Sequence, residues 1–297
     1  MLIIHSILFD NSTNDVIDWL CYKGGAFIRI NSDSSYQFQI DAEITIEGIN
    51  VYDFKSYWYR KGTFSGLNHF YSAIPQIHYS LEENRIKILQ YVESKLCEKK
   101  HLNRFFNSNP NKLLVLEKAK KSGLKVPDYI LTNKLKNSDK KYIYKPVNEG
   151  GHLELEDYIG NAYTEMYDEK KQQTYGLTFF QELIEKKYEL RIFYLDGKFF
   201  TMAIMSQKDK KTKVDFRHYN KEKPNRNVPF QLPFKIEKKL DLLMKDLDLK
   251  SGSIDMIVSK NREYYFLEIN PVGQFGMVSY PCNYYLEKEI AEYLSYD

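Results

Sequence analysis

Apolar and polar positions change period several times along this chain, and each change predicts an element. Leu2 to Leu8 is largely apolar, the pattern of a buried strand. Ser12 or Thr13 is placed to cap a helix through Trp19 and Leu20, Gly24-Gly25 ends it, and Ala26 to Ile30 predicts a second strand. This is a Rossmann-like strand–helix–strand opening. It lacks G-x-G-x-x-G after the first strand, so no dinucleotide site is expected there. Strands are expected at Gln37 to Ile46 and Val51 to Arg60. Ser80 and Glu83 form a capping box for a helix to about Cys97.

His101 to Asn109 reads as a domain junction. Asn109-Pro110 then predicts a helix over Asn111 to Lys121, with Gly123 as its stop. Strands are expected at Asp128 to Thr132 and Lys141 to Val147, followed by a flexible Asn148-Glu149-Gly150-Gly151 link. Four strand-like runs follow: Thr178 to Leu183, Tyr188 to Tyr194, Lys198 to Met205 and Val214 to Tyr219. A helix over Phe234 to Leu247, a hairpin of Ser253 to Ser259 with Glu263 to Ile269, and a helix over Tyr284 to Leu294 complete the pattern.

Composition narrows the class. The 297 residues are 43% hydrophobic and 15% aromatic, which excludes disordered and fibrous chains. No apolar run is long enough to span a membrane. The first residues lack the basic and small-residue signature of a signal peptide, so a cytoplasmic location is expected. Cys21, Cys97 and Cys282 are scattered, arguing against a disulfide framework. His5, His69, His78, His101 and His152 have no companions at metal-ligand spacing. Net charge is only +3, but Lys95 to Lys145 and Lys208 to Arg226 are markedly basic. They read as solvated surface or as surfaces facing phosphates or an acidic partner. Nucleic acid fits less well, because aromatic residues do not alternate with the basic ones.

The hairpin carries the most chemistry. A two-residue turn at Asn261-Arg262 would pair Lys260 with Glu263 and place Asp255 opposite Glu268. Asn270 lies two residues beyond Glu268, on the same face. Opposed carboxylates repel. A divalent cation would remove the conflict, and three oxygen donors suit magnesium with phosphates completing its shell.

These residues, D-x12-E-x-N on neighbouring strands, resemble the magnesium site of the ATP-grasp ligases. Lys112, following Asn-Pro-Asn, and Lys145, in Tyr-Ile-Tyr-Lys-Pro-Val, match the two nucleotide-binding lysines of that superfamily. Gln181-Glu182-Leu183 matches the hinge whose main chain recognises adenine, and Glu189 the ribose-binding acid. Further segments look like the graspetide synthetases, most closely the peptide maturase of grasp-with-SPASM systems. They are Asn-Ser-Thr-Asn-Asp-Val-Ile-Asp-Trp-Leu, Tyr-Trp-Tyr-Arg60-Lys-Gly, Glu-Leu-Arg191-Ile-Phe and Asp215-Phe-Arg217-His218-Tyr219. The family more often has Trp at the Phe216 position and Arg at that of Lys61.

The resemblance implies a three-part ATP-grasp fold, mixing α/β and α+β. An N-terminal Rossmann-like domain would span residues 1–108, a central lid 109–177 and a C-terminal ATP-grasp domain 178–297. It implies an ATP- and magnesium-dependent macrocyclising ligase. Asp or Glu side chains of a ribosomal precursor peptide, leader plus core, would be activated as acyl phosphates. Ser or Thr hydroxyls, or Lys amines, of the same peptide would then close an ester or amide. On that reading Arg191 stabilises the developing charge, unless it is a core-edge partner of Glu189 or Glu182. Asp215, Arg217 and His218 would contact the peptide, unless Arg217 is a surface cation. Arg60, after Trp58, is either functional or a strand-end residue. A radical-SAM/SPASM partner and a homodimer are implied only by the resemblance. The rivals are an ATP-grasp ligase adding free amino acids to a protein or peptide, and a degenerate peptide-binding module.

Overall fold

The structure is a computed structural model that describes residues 1–32, 37–41, 43–63, 72–133, 135, 140–145, 147, 152–155, 158–161, 165–167, 176–206 and 225–295. The expected strand Val214 to Tyr219, with Asp215, Arg217 and His218, lies outside the described residues, as does the 148–151 link.

In chain order the elements begin with β1 (Leu2–Ser6), α1 (Asn11–Tyr22), β2 (Phe27–Asn31), β3 (Phe38–Ile40), β4 (Ile44–Ile46), β5 (Ile49–Asn50), β6 (Ser56–Tyr59), α2 (Pro75–Leu96) and β7 (Lys100–Leu102). They continue with α3 (Lys112–Lys121), β8 (Tyr129–Thr132), β9 (Tyr142–Lys145), β10 (His152–Leu155), β11 (Tyr158–Asn161), β12 (Glu165–Met166), β13 (Thr178–Glu182), β14 (Lys186–Leu195), β15 (Lys198–Met205) and β16 (Arg226–Phe230). Last come α4 (Phe234–Asp246), β17 (Ser251–Ser259), β18 (Tyr264–Asn270), α5 (Gly276–Cys282) and α6 (Leu286–Ser295).

Two compact units result. The first joins Met1–Asn109, Asp248–Gly252 and Asn270–Asp297; the second joins Pro110–Leu247 and Ser253–Ile269.

The first unit is built on a parallel sheet of order β2-β1-β6-β7. Every residue of β1 and β6 is buried, as parallel strands covered on both faces require. Ile3, Ile30, Ile46, Tyr57, Leu89 and Leu96 belong to its core. The cap of α1 is Asp10, not the expected Ser12 or Thr13. Its carboxylate accepts from the Thr13 N–H (3.2 Å) and hydroxyl (2.6 Å). Gln274 Nε2 (3.3 Å), Arg60 Nε (3.1 Å) and Lys61 Nζ (3.3 Å) complete its shell.

Arg60 is itself buried, donates to the Val272 carbonyl and lies over the Phe275 ring. Burial lowers the Arg60 pKa, and Asp10 offsets part of that. Burial raises the Asp10 pKa, but Arg60, Thr13, Lys61 and Gln274 outweigh it and hold the carboxyl below its ordinary value. Helix α2 starts at Pro75, five residues before the expected capping box, because Pro at the first helical position needs no N–H partner. Near its end Glu93 accepts from the Phe105 N–H (2.6 Å) and the Tyr57 hydroxyl (3.2 Å). The Ser56 hydroxyl donates to the Leu294 carbonyl (2.8 Å), tying β6 to α6.

The second unit has two sheets of chemical interest. One has order β12-β9-β13-β8, with β13 antiparallel to both neighbours. The other has order β16-β15-β14-β17-β18. Strands β14 and β15 join through Asp196-Gly197, both at positive φ, in the two-residue turn that Asp-Gly favours. Pro229 is tolerated in β16 because that strand is an edge. Helix α3 is capped by Asn111, whose side chain accepts from the Leu113 and Leu114 N–H groups, so Pro110 precedes the cap. Gly123, at φ +79°, supplies the left-handed stop after α3.

Candidate functional site

The site builds up from the β17–β18 hairpin and the elements of the second unit that reach it. Asp255 sits on β17, and Glu268 and Asn270 on β18. The turn differs from the expected two-residue one. The Ser259 carbonyl accepts from the Arg262 N–H and the Ser259 N–H donates to the Glu263 carbonyl, both at 2.9 Å, with Arg262 at φ 63°. The loop is therefore three residues long, closing with a left-handed residue. Counted from that turn, Leu267 rather than Glu268 stands across from Asp255. Phe266 and Ile269 are both buried although three apart, so strict alternation breaks between them, and Leu267 and Glu268 are both partly open. The residue that upsets the count is Arg262, because non-glycine residues seldom adopt φ > 0.

Each carboxylate is held by a cation from elsewhere in the same unit. Arg191, on β14 beside β17, donates to Asp255 Oδ2 at 2.6 Å. This is neither of the core-edge pairings, with Glu189 or Glu182, considered from sequence. Lys112, the first residue of α3, donates to Glu268 Oε2 at 2.8 Å. Lys145, at the end of β9, lies 3.5 Å from the same oxygen. The two lysines are each only 10% exposed. Two ammonium groups on one carboxylate oxygen repel one another. An incoming polyanion such as a triphosphate offers both a better shared partner.

The other expected nucleotide residues spread along β13 and β14. Gln181 is buried on β13, and neither atom of its side-chain amide has a hydrogen-bond partner among the described residues. A buried amide without partners is costly unless a ligand supplies them. The Glu182 and Leu183 N–H groups donate to the Asp128 and Lys141 carbonyls, both at 2.8 Å. Glu189 is buried on β14, pairs with Lys186, and accepts from the Ser206 hydroxyl at 3.3 Å. Lys186 escapes sequence reasoning, since alternation would place residues three apart on opposite faces of a strand.

Asp255 and Glu268, both in the second unit, offer the oxygen donors a hard cation prefers, whereas Asn270, the third expected ligand, falls in the first unit. Among the described residues no group of three His, Cys, Asp or Glu side chains could hold a metal. Two carboxylates suit magnesium, which keeps much of its shell for water and phosphate. Arg191, Lys112 and Lys145 supply the positive charge that the two carboxylates attract. Asn270 Oδ1 accepts from the Val272 N–H at 3.0 Å, which orients its amide.

Comparison with solved structures places this architecture. An ATP-grasp ligase associated with ribosomally made, modified peptides from Chryseobacterium gregarium, in complex with ADP and a leader and core peptide, superposes with a TM-score of 0.79 at 24% identity. The match covers 99% of this chain and 95% of that one. The macrocyclase MdnC from Microcystis aeruginosa MRC, bound with precursor peptide MdnA, gives a TM-score of 0.79 at 25% identity, with 99% of both chains covered. The ATP-grasp ligase PsnB, complexed with a phosphomimetic variant of its minimal precursor, Mg and ADP, gives 0.75 at 16% identity over 99% and 97% of the chains. No family model matches the chain, and no curated protein matches it. The chain has the ATP-grasp fold of these peptide ligases, as the sequence led us to expect.

Proposed function

We propose that this chain is an ATP- and magnesium-dependent ligase that macrocyclises a ribosomally made precursor peptide. The observation carrying the proposal is the convergence of Lys112 and Lys145 on Glu268, with Arg191 on Asp255, inside this fold. Solved relatives of the same fold contain ADP, Mg and precursor peptides. ATP is a substrate in this reading. Its terminal phosphoryl passes to an Asp or Glu side chain of the peptide. A Ser or Thr hydroxyl, or a Lys amine, of the same peptide attacks the resulting acyl phosphate, and phosphate leaves.

Lys112 and Lys145 bind the triphosphate as two point charges on buried stems, released from Glu268 when the polyanion arrives. Asp255, Glu268 and Asn270 would hold magnesium, which supplies charge neutralisation at the transferring phosphoryl. Arg191 then offers its fork to the oxyanion that forms at the attacked carbonyl. The Gln181 amide orients the base, and Glu189, fixed by Lys186 and Ser206, meets the ribose. Since the Glu182 and Leu183 N–H groups already donate within the chain, a base beside the hinge meets carbonyl oxygens first.

Further parts of the reading rest on sequence. Arg217 is our choice for gripping the peptide's acidic side chains, by the bidentate pairing an Arg allows, with Asp215 orienting it and His218 as a further peptide contact. We keep the division expected from sequence, a lid over residues 109–177 and a nucleotide-holding domain over 178–297. Among the described residues no helix is long and apolar enough to cross a membrane. A cytoplasmic location, a homodimer and a radical-SAM/SPASM partner complete the proposal.

The test is mass spectrometry of a Thr/Ser- and Asp/Glu-rich peptide encoded beside the gene, incubated with the enzyme, ATP and magnesium. One lost water per ring, with one ADP formed for each, is expected. A gain of mass that depends on free amino acids would instead identify the chain-extending rival. ATP binding without turnover on any such peptide would identify the degenerate module.

A further inference from the structure

A cavity of about 350 Å³ opens in the first unit among α1, α5 and α6, and nothing in the ligase reading uses it. Asp15, Asp18 and Glu287 contribute three carboxylates to its walls, and Trp19, Tyr280 and Tyr285 three aromatic rings. Among the described residues no basic side chain lines it, although the chain as a whole carries net positive charge. The volume lies at the small end of the range for ligand pockets, about 300–1,000 Å³. It suits one long side chain better than a nucleotide.

Glu287 is the residue that points to a ligand. Its side chain is 95% buried in the sense that only 5% of the residue is exposed. Oε2 accepts from the Ser279 hydroxyl at 2.7 Å, whereas Oε1 has no hydrogen-bond partner among the described residues. The first turn of α6 explains why an acid is favourable there. It does not supply the missing donor, and a buried carboxylate oxygen without one is costly.

The rings give the matching surface. Lys288 Nζ lies 5.8 Å from the centroid of the Trp19 ring, so the indole already accepts a cation on one side, yet Lys288 is not among the cavity's lining residues. Asn283 and Tyr285 both adopt left-handed backbone, and the turn they make between α5 and α6 carries Tyr285 to the cavity wall. Tyr280, held by Asp15 at 2.5 Å, is 61% exposed and Tyr285 59%. Exposed rings at the mouth favour a guest that arrives attached to a larger chain.

We infer that this cavity binds an arginine side chain of a polypeptide, its guanidinium donating to Glu287 and stacking against the aromatic walls. The planar fork offers several donors at once, which an ammonium group does not. The inference stands whether or not the ligase reading does.

Tryptophan fluorescence tests it, because Trp19 lines the cavity and the other tryptophan, Trp58, is buried in β6. The probe is acetyl-Gly-Arg-Gly-amide, with the citrulline analogue as its neutral counterpart. A saturable change with the arginine peptide, absent for citrulline and lost in Trp19→Phe, is expected. Glu287→Gln should weaken binding at least ~10-fold, the scale of one charged hydrogen bond. Asp18→Asn, at an exposed position and safer for folding, should weaken it a few-fold. Unchanged urea-denaturation midpoints for both variants would show that they fold. No saturable change, an equal response to citrulline, or equal affinity in both variants would overturn the inference. Tighter binding of free arginine amide or spermidine than of the peptide would overturn its assignment to a polypeptide.

Discussion

Each unit holds a carboxylate gripped by cations, and the two are finished to opposite degrees. Asp10 in the first unit is 1% exposed and saturated by two groups of Thr13, by Gln274, by Arg60 and by Lys61. Its partners come from a helix start, a strand end and a loop, and all of them hold the fold in place. Glu268 in the second unit is 23% exposed at its side chain and shares one oxygen between two lysines. Charge on charge in a protein is therefore not a signature of function by itself. A carboxylate as enclosed as Asp10 is an internal fastener, whereas on the reading proposed above one partly open with competing cations is suited to exchange. Arg60, singled out from sequence as functional or as a strand-end residue, falls on the fastener side.

Four outcomes sharpen or break that contrast. The largest should follow Glu268→Gln, which keeps the shape and removes the charge. Turnover should fall by roughly 10²–10³-fold, the scale seen when one group stabilising transferring charge is lost. The thermal midpoint should hardly move. Normal ADP formation by this variant would dissolve the assignment.

Asp10→Ala should do the reverse. It leaves Arg60 buried without its counter-charge and removes the cap of α1, so stability should drop by about 3–5 kcal/mol. Urea denaturation measures this, and a drop under 1 kcal/mol would mean that Arg60 is satisfied by Val272 and Phe275 alone. Lys145→Ala should weaken ATP binding by ~1–3 kcal/mol in calorimetry. An unchanged affinity would leave Lys112 as the sole phosphate lysine.

The smallest effect concerns pH and belongs to the first unit. His5 is buried there, bonded through Nε2 to Ser32 and Thr63, and burial lowers its pKa from 6.5 to about 4. Burial holds it neutral, so the unfolded chain takes up the proton first. Stability should be intact above pH 6.5 and decline as pH falls toward 4, by about 1 kcal/mol per pH unit. Replacing His5 with Gln should flatten that slope. Equal slopes for both proteins would mean that His5 titrates as an exposed histidine does.

Strand spacing and a family-like order pointed to Lys112, Lys145, Arg191, Asp255 and Glu268, and the structure brings the two lysines to Glu268 and Arg191 to Asp255. The hairpin turn was not legible in the sequence, since Arg262 takes a left-handed conformation that nothing in its side chain announces. Helix starts were misread by a residue or more wherever two capping residues competed. Asp10 prevailed over Ser12 and Thr13 because it also neutralises Arg60, a contact across 50 residues that local pattern cannot contain. Strand β16 was missed since Pro229 reads as a break, and only its edge position makes it acceptable. Lys186 was invisible for the opposite reason: the rule of alternation forbade the pair it makes.

The way the chain crosses between units has a further consequence, on the ribosome. Residues 110–247, which form most of the second unit, emerge together, and that unit lacks only Ser253–Ile269. The first unit begins earlier but needs α6, whose Leu294 carbonyl receives Ser56, and the segment carrying Gln274 to complete the Asp10 shell. At ~5–20 residues per second, roughly ten to forty seconds separate the synthesis of residue 109 from that of residue 295. During that interval β1 and β6, buried throughout in the finished fold, have no α6 to cover them. The half of the protein made first is thus the half completed last, and a chaperone that shields nascent strands has its longest task there.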